Sequence, residues 1–110
     1  MTWNIFAKTS LLLVALFLST TAYAEPAWID VRSELEHRID SINGDVRISH
    51  GEIVQELSKI LPDKNAEIHL YCRSGGRAGK AMAALQAAGY SNVSNAGSID
   101  DARNQRGLSH

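Results

Sequence analysis

Cysteine is the scarcest reactive group in this sequence: 110 residues contain one, Cys72. A lone thiol forms no intramolecular disulfide, so the disulfide-stapled scaffold common among small secreted domains is excluded. Cys72 is then buried and inert, paired with another molecule, or kept for its reactivity. Excess positive charge is missing too, with 11 Lys+Arg against 12 Asp+Glu, and with it the electrostatic footprint of a nucleic-acid binder. No segment repeats at a period that would build a solenoid, and no low-complexity stretch appears. His37, His50 and His69 have no ligand-like spacing and no second cysteine to join them, which argues against a zinc site.

A long hydrophobic run is also absent. The longest, Leu11–Leu18, is about half of the roughly 20 apolar residues that a membrane-spanning helix requires. With Lys8 before it and Ala22-Tyr23-Ala24 after it, the run has the layout of a removable export signal, cleaved after Ala24. The expected organisation is a signal peptide over 1–24 and a single domain over 25–110, located in the periplasm with no stable membrane anchor. Cleavage removes one lysine and no acid, leaving 10 basic against 12 acidic side chains. A domain of that size buries about 60–65% of its unfolded surface, enough for one modest core.

Within the mature segment, Trp28-Ile29-Asp30-Val31 reads as a short strand, a weakly helical stretch runs to Arg38, and Asn43-Gly44 marks a turn. Val46-Arg47-Ile48 reads as a second strand. A helix opening near Ser49 or Gly51 is expected to bury Ile53, Val54, Leu57, Ile60 and Leu61 on one face. Glu67–Tyr71 alternates polar and apolar residues up to Cys72, and from Arg77 the residues Ala78, Ala81, Met82, Leu85 and Ala88 resume helical spacing, with Gly89 as the cap. The alanines of that face are most simply close packing on a sheet. Tyr90–Ser94 reads as a last strand and Ser98–Arg103 as a short helix capped by Ser98. Strands alternating with helices predict an α/β domain with a mostly parallel central sheet flanked by helices on both faces. In such sheets ligands gather beyond the carboxyl ends of the strands, where Cys72 falls.

The segment Cys72-Arg73-Ser74-Gly75-Gly76-Arg77-Ala78-Gly79 puts the thiol at the base of a short loop that runs into a helix. Glycines let successive backbone N–H groups turn inward around an anion, and the helix start adds a partial positive charge. Two guanidinium groups and these amides favour the thiolate over a thiol whose ordinary pKa is about 8.5. Cys72 is the expected nucleophile, largely ionised at neutral pH. Arg73 and Arg77 suit the oxyanion end of a substrate, with Arg77 also placed to pair structurally with a carboxylate such as Glu36. Ser74, Gly75, Gly76 and Ala78 would act through backbone N–H groups. Asp30 and Arg32, at the end of the first strand, either orient the loop or form a structural ion pair.

This loop, a cysteine followed by four residues and an arginine, resembles the active loop of rhodanese-type sulfurtransferases. Trp28–Arg32 with Glu36 resembles that family's opening segment, Ile42-Asn43-Gly44 its next turn, and Gly89–Val93 with Ala96-Gly97 its closing strand and turn. With the export signal, the chain is most similar to the periplasmic single-domain kind. The sequence departs from the family pattern at Asp40-Ser41, at His37 after the glutamate, and at Ala78, where a hydroxyl residue is common. The resemblance implies a thiosulfate:cyanide sulfurtransferase in which Cys72 takes sulfane sulfur, releases sulfite and holds a persulfide until cyanide or a small thiol removes it. No metal or organic cofactor is expected, because the loop's electrostatics serve both thiolate and persulfide, and the expected partners are these small molecules, with the protein a monomer. A Cys-loop phosphatase or arsenate reductase fits less well, because those loops place one more residue between cysteine and arginine. A persulfide carrier without turnover is the other alternative.

Overall fold

Alternation along one strand organises the molecule, because successive side chains of an extended chain leave on opposite faces of a sheet. The computed structural model describes residues 25–110, and the expected signal peptide, 1–24, lies outside the described residues. Four strands run through them: β1 (Ala27–Asp30), β2 (Val46–Arg47), β3 (Ile68–Cys72) and β4 (Val93–Ser98). Four helices alternate with the strands: α1 (Glu34–Ile39), α2 (Ile53–Ile60), α3 (Gly76–Ala87) and α4 (Ile99–Gln105). The sheet order is β2-β1-β3-β4 and every pairing is parallel, as expected of an α/β chain.

From β3, Ile68, Leu70 and Cys72 enter a core with Ile53 and Leu57 of α2 and Ala78, Ala81 and Leu85 of α3. Tyr71 faces the other way, into a smaller cluster with Trp28, Ile42, Ala96 and, from α4, Ile99 and Ala102. Both faces are therefore covered, unequally. Leu57, Ile68, Leu70 and Leu85 are fully buried, and each contributes on the order of 1.5–3 kcal/mol by leaving water. The alanines of α3 let that helix lie close on β3 and β4, directly behind Cys72.

Local chemistry sets the ends of the elements. Ser33 caps α1, taking a hydrogen bond from the Glu36 N–H while the Glu36 carboxylate accepts from the Ser33 N–H. Ser98 and Asp101 repeat that box on α4. Two boundaries differ from the sequence reading. The helix foreseen at Ser49 or Gly51 starts at Ile53, because Ser49 and Glu52 bond to each other and hold 49–52 as a turn. The last strand begins at Val93 rather than Tyr90. Tyr90 is buried instead, its hydroxyl donating to the Leu61 carbonyl, and the Ser91 N–H bonds the Lys64 carbonyl before the chain reaches β4.

A loop of backbone donors around Cys72

Cys72 is the last residue of β3 and is 1% exposed. Three residues later Gly75 takes φ +95°, the left-handed region that glycine tolerates best, and becomes the N-cap of α3. A Cβ there would lie 3.4 Å from Gly97 Cα on β4, in contact with that strand, so it is the backbone conformation that calls for glycine. This turn brings the Gly75 N–H to 3.0 Å from Cys72 Sγ, with a donor from the loop now aimed at the sulfur. Burial pushes the Cys72 thiol up, but the backbone N–H groups of Ala78, Ser74, Gly75 and Arg77 outweigh it and hold the thiol below its ordinary value. Ala78, without a hydroxyl, still supplies its amide.

The arginines behave differently from each other and from the amides. Arg77 turns to Glu36 of α1, with Nη1 to Oε1 at 2.6 Å and Nη2 to Oε2 at 2.9 Å, a two-pronged ion pair. Its guanidinium, together with burial and the Ser33 contacts, sets the Glu36 carboxyl, which falls to about 2. Only the backbone of Arg77 donates toward the sulfur. Arg73 is exposed, on the wall of a groove of about 360 Å³ that includes Ile39 and Ile99. Arg32, Glu36, Asp40 and Asp100 share that wall and are all in ion pairs, whereas among the described residues Arg73 has none.

Asp30 and Arg32 form a buried unit at the end of β1. Arg32 donates from its backbone N–H and from Nε to Asp30 Oδ1, each at 3.0 Å, and from Nη2 to Oδ2 at 2.9 Å. His37 Nδ1 lies 2.9 Å from the same Oδ2, and Arg32 also donates to the Asp40 carbonyl. Burial pushes the Asp30 carboxyl up, and the hydrogen bonds from Arg32 and His37 hold it below the ordinary carboxylate range. No buried side-chain nitrogen or oxygen among the described residues lacks a partner. The unit clamps α1 to the sheet and so places Glu36 where Arg77 meets it. Asp30 and Arg32 thus reach the loop through Glu36 and not by touching Cys72.

Sequence reasoning passed over one residue that touches the loop. Asn95 of β4 donates from Nδ2 to the Gly75 carbonyl at 2.9 Å and accepts from the Gly97 N–H at 2.9 Å. Its only sequence signal is its place before Ala96-Gly97. No group of three or more His, Cys, Asp or Glu side chains converges among the described residues as a metal site would require.

A cradle of backbone donors of this shape stabilises a thiolate and any sulfur anion bonded to it, and its tightness favours one atom over a tetrahedral oxyanion. The family model for the rhodanese-like domain matches residues 17–103. Thiosulfate sulfurtransferase PspE of Escherichia coli strain K12 is 34% identical over 94 residues, covering 86% of this chain and 90% of that protein. A solved structure described as a rhodanese with anions from E. coli superposes with a TM-score of 0.67 at 32% identity, over 70% of this chain and 91% of that one. A rhodanese-like domain from Anabaena sp. gives a TM-score of 0.68 over 77% of this chain and 97% of that one; at 22% identity it speaks for the fold alone. Loop, sheet and sequence agree, and the chain belongs to the rhodanese-like domain family.

Proposed function

We propose that the protein is a thiosulfate sulfurtransferase working through a persulfide on Cys72. The observation that carries this reading is the buried sulfur at the end of β3, met by the Gly75 N–H at 3.0 Å and held as an acid below its ordinary range by four loop amides. The thiolate attacks the outer sulfur of thiosulfate, the sulfur–sulfur bond of the donor breaks, and its electron pair leaves with sulfite. The loop amides then face the terminal sulfur of the persulfide. Cyanide or a thiol attacks that sulfur, the bond to Sγ breaks, and the thiolate returns. Electrons balance within the two transfers, so no outside oxidant or reductant is needed.

Arg73 is the cation with which we assign recognition of the sulfonate end of the donor, since it is exposed beside the loop and free of carboxylate partners among the described residues. Arg77 acts by holding Glu36 and by its backbone amide. We also propose export to the periplasm, supported by the run Leu11–Leu18 followed by Ala22-Tyr23-Ala24. The N-terminus of the protein recovered from whole cells begins at Glu25 if this is so, and at Met1 if it is not.

The decisive test is the intact mass after thiosulfate treatment, alongside turnover with cyanide. Wild type gains one sulfur atom and releases sulfite through many cycles. Cys72→Ser gains none and its turnover falls to background with its melting temperature nearly unchanged. A Cys72→Ser variant that still turns over rejects the mechanism, and one labelling event without cycling makes the protein a carrier.

A further inference from the structure

We propose that Asn95 is a positioning residue for the sulfur cradle, holding the Gly75–Gly76 peptide of the loop from the neighbouring strand. This rests on the thiolate reading of Cys72 given above. Three observations support it. First, the exposed Asn95 side chain ties the loop to β4, with Nδ2 donating to the Gly75 carbonyl of the loop and Oδ1 accepting from the Gly97 N–H of its own strand, both at 2.9 Å. Second, the β3–β4 register slips between Leu70 and Tyr71, so that Leu70 pairs with Asn95 and Tyr71 with Gly97. Ala96 is the extra residue. A bulge of this kind re-aims a side chain, and here it leaves Asn95 beside the loop while Gly97 comes within 3.4 Å of where a Gly75 Cβ would be.

Third, Gly75 is the hinge of the whole cradle. Its N–H meets Sγ at 3.0 Å, and its φ of +95° is a conformation the chain does not hold by side-chain sterics. Its carbonyl accepts from the Gly79 N–H in the first turn of α3 as well as from Asn95. A planar trans peptide points its carbonyl and its N–H in opposite directions. With the Gly75 carbonyl held from two sides, by α3 and by β4, the turn at Gly75 is anchored, and its own N–H is kept at 3.0 Å from Sγ. Asn95 thereby keeps the donors in place before any substrate arrives, which is the condition for stabilising charge without reorganisation. The charged groups around the loop are Arg77, which interacts with Cys72, Glu36 and Asp30, and the exposed Arg73, and Asn95 hydrogen-bonds to none of them.

The test is the pH dependence of Cys72 alkylation in the full chain, with the melting temperature measured in parallel. Asn95→Ala is expected to raise the alkylation midpoint by about 1 pH unit, a tenfold loss of thiolate at pH values below both midpoints, and to slow sulfite release there by about the same factor. If Asn95 only braces the β4 bulge, the melting temperature falls while the midpoint stays at the wild-type value, and the proposal is overturned. Should Asn95→Ala fail to fold, Asn95→Asp keeps the acceptor for the Gly97 N–H, loses the donor to Gly75 and adds a negative charge. Measured in 1 M salt, where charges are screened within about 3 Å, its midpoint also rises if the donor matters and is unmoved if it does not. A wild-type midpoint at or above about 8.5 would instead overturn the thiolate reading itself, and this inference with it.

Discussion

Tyr71 and Cys72 are consecutive residues of β3, both shut off from solvent, yet their acidities move in opposite directions. Burial pushes both groups up, since a buried anion loses its hydration. Tyr71 then meets a carboxylate: its hydroxyl donates to Asp45 Oδ2 at 2.6 Å, and losing that proton would set two negative charges side by side. Cys72, on the other face of the sheet, meets backbone donors among its apolar neighbours. The backbone N–H groups of Ala78, Ser74, Gly75 and Arg77 overcome the burial and turn its shift downward. Burial alone therefore says nothing about which acid is reactive. The sign is set by what converges on the atom, and one residue of β-strand alternation is enough to exchange a nest of donors for a carboxylate.

The sharpest way to break the comparison is Gly75→Ala. The new Cβ would face a left-handed backbone that costs about 1–2 kcal/mol and a contact at 3.4 Å with Gly97 Cα. Relief moves the Gly75 N–H off the sulfur, so the alkylation midpoint of Cys72 should rise by about 1 unit and transfer should slow by tenfold or more. An unchanged midpoint would mean that the amide seen at 3.0 Å contributes little.

Glu36→Gln sharpens the comparison by testing an acid lowered by a side chain instead of by amides. The Glu36 carboxyl is about 2 in the folded protein, depressed by the Arg77 ion pair. A depressed carboxyl contributes stability above its unfolded value of about 4.3 and loses it as pH falls toward the folded value. At pH 6 the variant should be less stable by about 1–2 kcal/mol in denaturant titration, allowing for solvent screening of a pair that is partly exposed. That gap should close between pH 4 and pH 2, and a gap independent of pH would deny the ion pair its role.

The smallest effect is expected from Tyr71→Phe. Removing the hydroxyl takes one hydrogen bond from Asp45, which keeps both contacts to Arg106, at 2.7 and 3.0 Å. Stability should fall by about 0.5–1.5 kcal/mol. Cys72 alkylation should keep its wild-type midpoint, because the two side chains lie on opposite faces. A shifted midpoint would show that the faces are coupled through the strand.

Much of this arrangement is legible in the residues. Alternation up to Cys72, the glycines after it and the 3-4 spacing from Ala78 onward are local patterns, and each produced the element it announced within a residue or two. Ser98 was legible as a cap for the same reason, since its partner Asp101 stands three residues away. Tyr90 was misread as strand. Its aromatic, β-favouring character also suits a buried anchor, and only the carbonyl of Leu61, 29 residues earlier, decides between the two. The sequence counted two arginines beside the thiol but carried no sign that Arg77 would spend its guanidinium on Glu36.

By itself, the sequence determined that a solitary thiol ends a strand and begins a glycine loop leading into a helix, because turn chemistry and periodicity act between residues a few positions apart. The tertiary structure alone decided which donors reach that sulfur, that Glu36 holds Arg77, and that Asn95 comes from β4, 20 residues beyond Gly75, to grip the loop. Those contacts depend on how β1, β3 and β4 are set side by side. A slip of one residue in β4, as the bulge at Ala96 shows, changes which side chain meets the loop while leaving every local signal intact.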